Sequence, residues 1–269
     1  MQKPTFQELL DAGVHFGHLK RKWNPAMAPY IFMERNGVHI IDLHKTSVKL
    51  DEATSAMKQI AKSGRKILFV ATKKQAKDII ANHIGNVKMP YITERWWGGM
   101  LTNFSTLRRA IKKIVTIEKM EQNGTFDKLS KRERLQLTRV KEKLVKRLGS
   151  VSDMTKIPAA MFVVDVFKEK IAVREAQKLG IKVFAMVDTN SNPKNIDFVI
   201  PANDDASQSI ELIVSTLAKA VKEGIGERKA ERDKNREEKK AKKPIKKKVA
   251  KSEAPNVKKE ADDKKEAAE

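Results

Sequence analysis

The sequence predicts a doubly wound α/β fold, with a mostly parallel sheet covered by helices on both faces. Four short apolar runs, rich in β-branched residues, each lie next to segments with helical spacing. Strands that are apolar along their whole length are typical of parallel sheets buried on both sides. Two further observations complete the prediction. Residues 105–149 have helical spacing without a strand, and residues 227–269 are highly charged with little to bury.

The individual elements are assigned from periodicity and turn signals along the chain. Asn36-Gly37, between the apolar runs 30–33 and 38–41, predicts a β-hairpin. Buried strands are predicted at 67–72, 159–165, 181–188 and 197–201, with a weaker candidate at 89–92. Helices are predicted over 46–62, 73–84, 168–179 and 205–222.

The segment 105–149 is predicted to form two antiparallel helices that project as a hairpin from the core. One apolar stripe is formed by Leu107, Ile111, Ile114 and Ile117, and a second by Leu137, Val140, Leu144 and Leu148. Ser130 with Glu133 has the form of a capping box that opens a new helix. The core domain is therefore discontinuous, comprising residues 1–104 and 150–226, with the hairpin inserted between its two parts.

The C-terminal segment 227–269 is predicted to be a disordered, Lys-rich tail. It contains 17 Lys and Arg against 11 Asp and Glu, and too few apolar residues to offset the entropy of ordering. Its net charge of +6 leaves +16 on the remaining residues, and +9 of that lies in the hairpin. The folded part of the chain is therefore basic in its own right.

The charge balance favours a polyanionic partner over a small neutral substrate. The chain has 56 Lys and Arg against 34 Asp and Glu, a formal net charge of +22. Nucleic acid is the first candidate partner, because each neutralised phosphate releases counterions, and an anionic membrane surface is the second. The absence of Cys, of an N-terminal signal sequence and of a long apolar stretch leads us to expect a cytoplasmic protein.

Several candidate catalytic or metal sites are weak when their spacing is considered. His15-Phe16-Gly17-His18 has the form of an ATP-binding tetrapeptide of aminoacyl-tRNA synthetases, but it precedes every predicted buried strand. The favoured interpretation is a turn in which Gly13 and Gly17 adopt special backbone angles. A histidine metal site is an alternative, with His15 and His18 as its first candidates and His39 and His44 as further ligands. We expect no metal and no cofactor.

A nucleotide site is not predicted at the carboxyl ends of the strands. The first buried strand is followed by Thr72-Lys73-Lys74 without glycine, so both glycine-rich phosphate-binding motifs are missing. Asp165 and Asp188 end later strands, where an enzyme could use them. Without a base or nucleophile beside them, capping of the following loops is the favoured role.

Cations predict RNA contacts in three regions: next to aromatic residues in two loops, and at helical spacing on the hairpin. In the hairpin and the N-terminal loop the cations would contact phosphates, and indoles can stack on unpaired bases. For Trp96 and Trp97 a structural role at the base of the hairpin is an equal alternative. The predicted RNA-binding residues are Lys20, Arg21, Lys22, Trp23 and Asn24 in the loop; Arg95, Trp96, Trp97 and Asn103 before the hairpin; and Arg108, Arg109, Lys112, Lys113, Lys131, Arg132 and Arg134 on it.

Seven segments in order, between about Phe6 and Gly224, resemble the bacterial S2 family of small-subunit ribosomal proteins. They are LLDAGVHFGHLKRKWNPAMAPYI, RNGVHIIDLHKT, FVATKKQA, ERWWGGMLTNF, FDKLSKRE, PAAMFVVD and VDTNSNP. The resemblance implies a Rossmann-like (flavodoxin-like) sheet with a protruding coiled coil and no enzymatic activity. It also implies binding to small-subunit ribosomal RNA and to other small-subunit proteins, including the large protein that recruits mRNA. The Lys-rich tail is poorly matched.

Three hypotheses therefore compete. The leading one is a structural, RNA-binding component of the small ribosomal subunit, located in the cytoplasm, with no membrane and no small-molecule substrate. The second is a nucleotide-dependent enzyme on the same fold, which would need a phosphate-binding loop. The third is a free regulatory or membrane-surface adaptor, which the Lys-rich tail suggests.

Overall fold

The computed structural model describes residues 4–252, apart from the side chains of residues 127, 128 and 235–252. These residues fall into two units, divided between Ile225 and Gly226. The predicted disorder of the tail falls partly on residues 253–269, which lie outside the described residues, and it stays a prediction.

The N-terminal part contains a small antiparallel sheet and two helices. The strands are β1 (Phe16–Leu19), β2 (Ile31–Arg35) and β3 (Val38–Ile41), in the order β1-β3-β2. Helix α1 (Phe6–Asp11) precedes the sheet, and α2 (Leu43–Lys62) follows it. The hairpin prediction is confirmed, because Asn36 and Gly37 both have positive φ between β2 and β3. The sequence analysis missed α1 and β1.

Five parallel strands form the central sheet: β4 (Ile67–Val70), β5 (Tyr91–Ile92), β6 (Ala160–Val164), β7 (Lys182–Val187) and β8 (Phe198–Pro201). Their order is β5-β4-β6-β7-β8. Numbered within this sheet alone, that order is 2-1-3-4-5, which is the flavodoxin-like arrangement. The predicted parallel α/β architecture is therefore confirmed.

The remaining helices are α3 (Lys74–Gly85), α4 (Phe104–Gln122), α5 (Lys131–Leu148), α6 (Lys170–Lys178) and α7 (Ser207–Ser252). Helix α7 continues beyond its predicted end near residue 222. Helices α4 and α5 contact each other, and Lys141 Nζ lies 2.5 Å from Glu121 Oε2. The capping box at Ser130 and Glu133 is present at the start of α5. A separate antiparallel coiled-coil domain stays a prediction.

The core lies on both faces of the central sheet. Along β4, Ile67 and Phe69 pack into one apolar cluster with α2, α3 and α7, whereas Leu68 and Val70 pack into a second. The second cluster includes the stripe Leu107, Ile111 and Ile114 of α4, so this helix is attached to the core at its beginning. Among residues 4–252, no helix combines the length and apolar character needed to cross a membrane.

Candidate functional site

The N-terminal basic loop is exposed, as an RNA-binding segment requires. Lys20, Arg21 and Lys22 form a 3-10 helical turn directly after β1 with no buried residue, and Lys20 Nζ lies 2.7 Å from Glu34 Oε2. The Trp23 ring lies 5.1 Å from the His39 ring and remains 37% exposed. Asn24 acts locally, because its side-chain oxygen accepts a hydrogen bond from Ala26 N.

The loop before α4 separates the two adjacent tryptophans into a buried and an exposed one. Trp96 is buried and donates its indole N–H to Glu175 Oε1 at 3.1 Å. Trp97 is 43% exposed. The prediction that Trp96 contacts RNA is therefore wrong for stacking, since its ring faces lie in the core. Arg95 and Asn103 are exposed, although Asn103 Oδ1 also accepts hydrogen bonds from Ser105 and Thr106.

The carboxylate of Glu175 on α6 holds this loop in place. Besides the Trp96 indole, it accepts hydrogen bonds from the backbone N–H groups of Gly99, Leu101 and Thr102 at 2.7–3.2 Å. Burial opposes ionisation of Glu175, but these hydrogen bonds to the charged form outweigh it and lower its pKa. A buried, ionised carboxylate thus accepts the hydrogen bonds of three backbone N–H groups in the turn, in the place of backbone carbonyl groups.

The predicted cations of α4 and α5 lie away from the core. Arg108, Arg109, Lys112 and Lys113 are exposed, on the side of α4 opposite its buried stripe. Among the described side chains, no carboxylate forms an ion pair with any of these four. On α5, Lys131 and Arg132 are exposed and Arg134 is half-buried. The exposed side of α4 is therefore a band of positive charge whose four cations have no carboxylate partner among the described side chains.

A second cluster of polar side chains lies at the carboxyl ends of the parallel strands. Lys73, which follows β4, is buried, and its Nζ lies 2.7 Å from Asp204 Oδ1, 2.7 Å from Asp205 Oδ1 and 3.2 Å from Asp165 Oδ2. Burial opposes the charge of Lys73, but the three carboxylates outweigh it and raise its pKa. Burial, together with Asp188 and Asp165, raises the pKa of Asp204.

One side of this cluster can hold a cation. His18 Nδ1 lies 2.9 Å from Asp188 Oδ2, and one ligand atom each from His18, Asp188 and Asp204 lies within 4.8 Å of the others. Asp188 Oδ2 and Asp204 Oδ2 are buried, and apart from the contact between His18 and Asp188 Oδ2 neither oxygen has a hydrogen-bond donor among the described residues. Imidazole with two carboxylates is a ligand set that Zn²⁺ accepts.

The other histidines of the sequence-based metal hypothesis are not part of this group. His15 packs against Phe16, His39 against Trp23, and the His44 ring stacks on Phe6. The group of His18, Asp188 and Asp204 is the sole potential metal-ligand cluster found in the described part of the chain. The four-histidine site is therefore wrong, and of its first candidates only His18 is retained.

Gly17 brings His18 to the end of β7 by close approach rather than by special backbone angles. A Cβ at Gly17 would lie 2.6 Å from Thr189 Cγ2, whereas positive φ occurs at Gly13. The predicted turn angles are thus correct for Gly13 and wrong for Gly17, which lies in β1. His18 N donates to Thr189 Oγ1 at 2.8 Å and completes the attachment of β1.

Sequence reasoning found the aspartates at the strand ends but missed their partners. Asp165 caps its loop as predicted, since Lys168 N donates to Asp165 Oδ1 at 3.0 Å. Lys73, Asp204 and Glu175 were missed because their partners are distant in sequence. The available signal for Glu175 was an acidic residue within the otherwise apolar face formed by Ala172, Val173 and Ala176.

Comparison with known proteins finds one family along most of the chain. The family model described as ribosomal protein S2 matches residues 9–224. The small ribosomal subunit protein uS2 of Parabacteroides distasonis is 66% identical over 228 residues, covering 85% of this chain and 82% of the relative. The protein of the same name from Azobacteroides pseudotrichonymphae is 65% identical, covering 85% and 87%. The chain belongs to the ribosomal protein S2 family.

Proposed function

We propose that this chain binds small-subunit ribosomal RNA through its exposed cations and so helps to assemble the small ribosomal subunit in the cytoplasm. As a member of its family it is a structural ribosomal protein and not an enzyme. The proposed RNA contacts are supported by the distribution of charge on the surface.

The observation that carries the proposal is the basic surface of α4, where four exposed cations have no carboxylate partner among the described side chains. Arg108, Arg109, Lys112 and Lys113 repeat at helical spacing on one exposed side. A solvated helix usually mixes both signs of charge, whereas residues 105–149 carry a net +9. RNA phosphates would neutralise this charge with release of counterions. On α5, the same role is proposed for Lys131, Arg132 and Arg134.

The N-terminal loop and the loop before α4 supply the proposed base contacts. Trp23 lies next to three exposed cations, and Trp97 follows Arg95 by two positions. An exposed indole beside a cation suits an unpaired base and its phosphate. Asn24 and Asn103 are retained as polar contacts to RNA through their side-chain NH2 groups, because only the side-chain oxygen of each accepts a local hydrogen bond. Trp96 is omitted because it is buried.

Docking of the large mRNA-recruiting protein is proposed for the α/β core, residues 1–104 and 150–226. The proposal follows from the family resemblance. It is supported by apolar side chains on β2, an edge strand of the small sheet, where Phe32 is 70% and Met33 is 49% exposed. Large apolar side chains that stay exposed on an edge strand are available for contact with a partner protein. In this scheme, the inserted hairpin 105–149 binds RNA and the tail 227–269 is accessory.

The test is a competition between variant and wild-type chains for incorporation into small subunits. Reversal of Arg108, Arg109, Lys112 and Lys113 to Glu is expected to reduce occupancy strongly, because each reversal replaces attraction to phosphate by repulsion. The matched control reverses four exposed lysines elsewhere, Lys74, Lys178, Lys219 and Lys222. Occupancy equal to wild type for the α4 variant contradicts the proposal. Equal loss in both variants assigns the effect to net charge alone.

A further inference from the structure

Two exposed side chains from different elements form a cation–π pair at the base of α5. The guanidinium carbon of Arg147, in the last turn of the helix, lies 4.7 Å from the centre of the Trp97 ring. Both residues are exposed, Trp97 by 43%. They are 50 positions apart in sequence, so sequence reasoning could identify Trp97 but not its partner.

The Trp97 side is held in place by the loop around it. Its neighbour Trp96 is anchored in the core by the hydrogen bond to Glu175, and Gly99 N donates to the same carboxylate at 2.7 Å. Trp97 O accepts a further hydrogen bond from Met100 N. The backbone on both sides of Trp97 is thus fixed, so this indole is preorganised outside the core.

The Arg147 side is fixed by the end of α5. The next residue, Leu148, is buried in the core, and the following Ser150 hydroxyl donates to Tyr91 O at the edge of the central sheet. No described carboxylate forms an ion pair with Arg147. The guanidinium therefore has N–H groups available for an anion while its plane lies near an aromatic ring.

We infer that Trp97 and Arg147 together form a stacking platform for one unpaired nucleotide of RNA. The inference rests on the proposed RNA-binding function and deepens it. The accessible part of the indole would stack on the base, and the guanidinium would donate hydrogen bonds to the adjacent phosphate. Arginine is suited to this role because its planar group can lie against a ring and bind phosphate at the same time.

The experiment measures binding of the full-length chain to two probes at fixed salt, in vitro transcribed small-subunit ribosomal RNA and a short oligouridylate. Variants are Trp97→Ala, Arg147→Ala and their combination, which together form a double-mutant cycle. The matched control is Lys146→Ala, which removes an equal charge from the same helical turn without touching Trp97. Trp97→Phe and Arg147→Lys separate loss of stacking from loss of folding, which is checked by circular dichroism.

The platform predicts that Trp97→Ala and Arg147→Ala each weaken oligouridylate binding by about fivefold or more, the usual effect of losing one base–aromatic stack. It also predicts that the double variant is less impaired than the product of the two effects, and that Trp97→Phe retains most of the affinity. Lys146→Ala is expected to have a smaller effect than Arg147→Ala.

Two results would overturn the inference, and they can be told apart from failure of the proposed function. In the first result, the wild type binds ribosomal RNA, Arg147→Ala lowers the affinity no more than Lys146→Ala, and Trp97→Ala leaves the affinity unchanged. The pair then only attaches α5 to the loop. If the two losses multiply without coupling, the residues do not act as one platform. If the wild type itself does not bind ribosomal RNA, the proposed function fails as well.

Discussion

At the scale of single residues, Glu175 shows how one buried charge can define a functional loop. Its carboxylate accepts hydrogen bonds from three backbone N–H groups and from the Trp96 indole. Together with the Thr102 hydroxyl at 3.3 Å, five donors around one anion compensate the cost of burying it. Because these donors surround Trp97 in sequence, Glu175 determines which of the two adjacent indoles faces solvent.

Replacement of Glu175 by Gln is expected to lower the free energy of unfolding by about 1–3 kcal/mol at neutral pH. The reason is that an amide NH2 group replaces one buried carboxylate oxygen and then faces N–H donors instead of accepting from them. Since the pKa of Glu175 is lowered in the folded chain, its ionised form contributes stability above its unfolded pKa, which ordinarily lies at 4.5. That contribution is lost as the pH falls through the folded value.

The measurement is urea denaturation of wild type and Glu175→Gln at several pH values. The difference between the two chains should be largest at neutral pH and should shrink below about pH 4.5. Glu211→Gln, a change at an exposed glutamate on α7, is the control and should leave stability nearly unchanged. A difference that is independent of pH would contradict the assigned role of the charge.

The group of His18, Asp188 and Asp204 leads to a second prediction at this scale. The three residues come from β1, the end of β7 and the segment before α7, so a bound cation would link three distant parts of the chain. Zn²⁺ is expected to raise the unfolding temperature of chelator-treated protein, because it binds the folded state selectively. Mg²⁺ should have a weaker effect, since it prefers all-oxygen coordination.

The control for this prediction is Asp197→Asn, the same chemical change at the opposite end of the sheet. Asp197 lies just before β8, where it pairs with Lys182 at 2.8 Å. Zn²⁺ should stabilise this variant but not His18→Gln or Asp188→Asn. Equal stabilisation of all the variants by Zn²⁺ would show that the ion binds elsewhere.

At the scale of elements, the sequence predicted what depends on local pattern. β4, β6, β7 and β8 were predicted because each is a continuous apolar run between polar segments. β1 was missed because Phe16–Leu19 has no apolar alternation, and it is held by pairing with β3 and by Thr189. The polar cluster was not predicted because it depends on strand order, which brings the ends of β4, β6, β7 and β8 together.

The start of α5 provides a prediction for an element. The Ser130 side chain accepts a hydrogen bond from Glu133 N, and the Glu133 carboxylate accepts one from Ser130 N. Ser130→Ala is expected to destabilise this turn by about 1 kcal/mol, because the backbone N–H of Glu133 loses its hydrogen-bond acceptor. Amide hydrogen exchange should become faster in the first turn of α5 but not in α6. Ser130→Asp, which keeps a cap, should restore protection; unchanged exchange in Ser130→Ala would contradict the capping role.

At the scale of the whole molecule, the net charge of +22 is divided between residues 1–226 and residues 227–269. Residues 1–226 keep +16 without the tail, and the proposed RNA contacts all lie within them. Residues 1–226 should therefore carry most of the affinity for the small subunit, and residues 227–269 should add a smaller, salt-sensitive contribution.

Deletion of residues 227–269 separates a ribosomal role from that of a free or membrane-surface adaptor. A chain ending at Gly226 is expected to enter small subunits at close to wild-type occupancy, as measured by quantitative mass spectrometry of purified particles. The reversal of Arg108, Arg109, Lys112 and Lys113 to Glu serves as the comparison and should reduce occupancy strongly. Loss of particle association in the tail deletion alone would favour the adaptor.

The most direct test of the central claim is sedimentation of a native lysate on a sucrose gradient, with detection of this chain before and after a moderate-salt wash. A structural component of the small subunit that binds its RNA is expected in the small-subunit and whole-ribosome fractions at near one-to-one amounts, and to remain there after the wash. Recovery of the chain at the top of the gradient at low salt would contradict the claim.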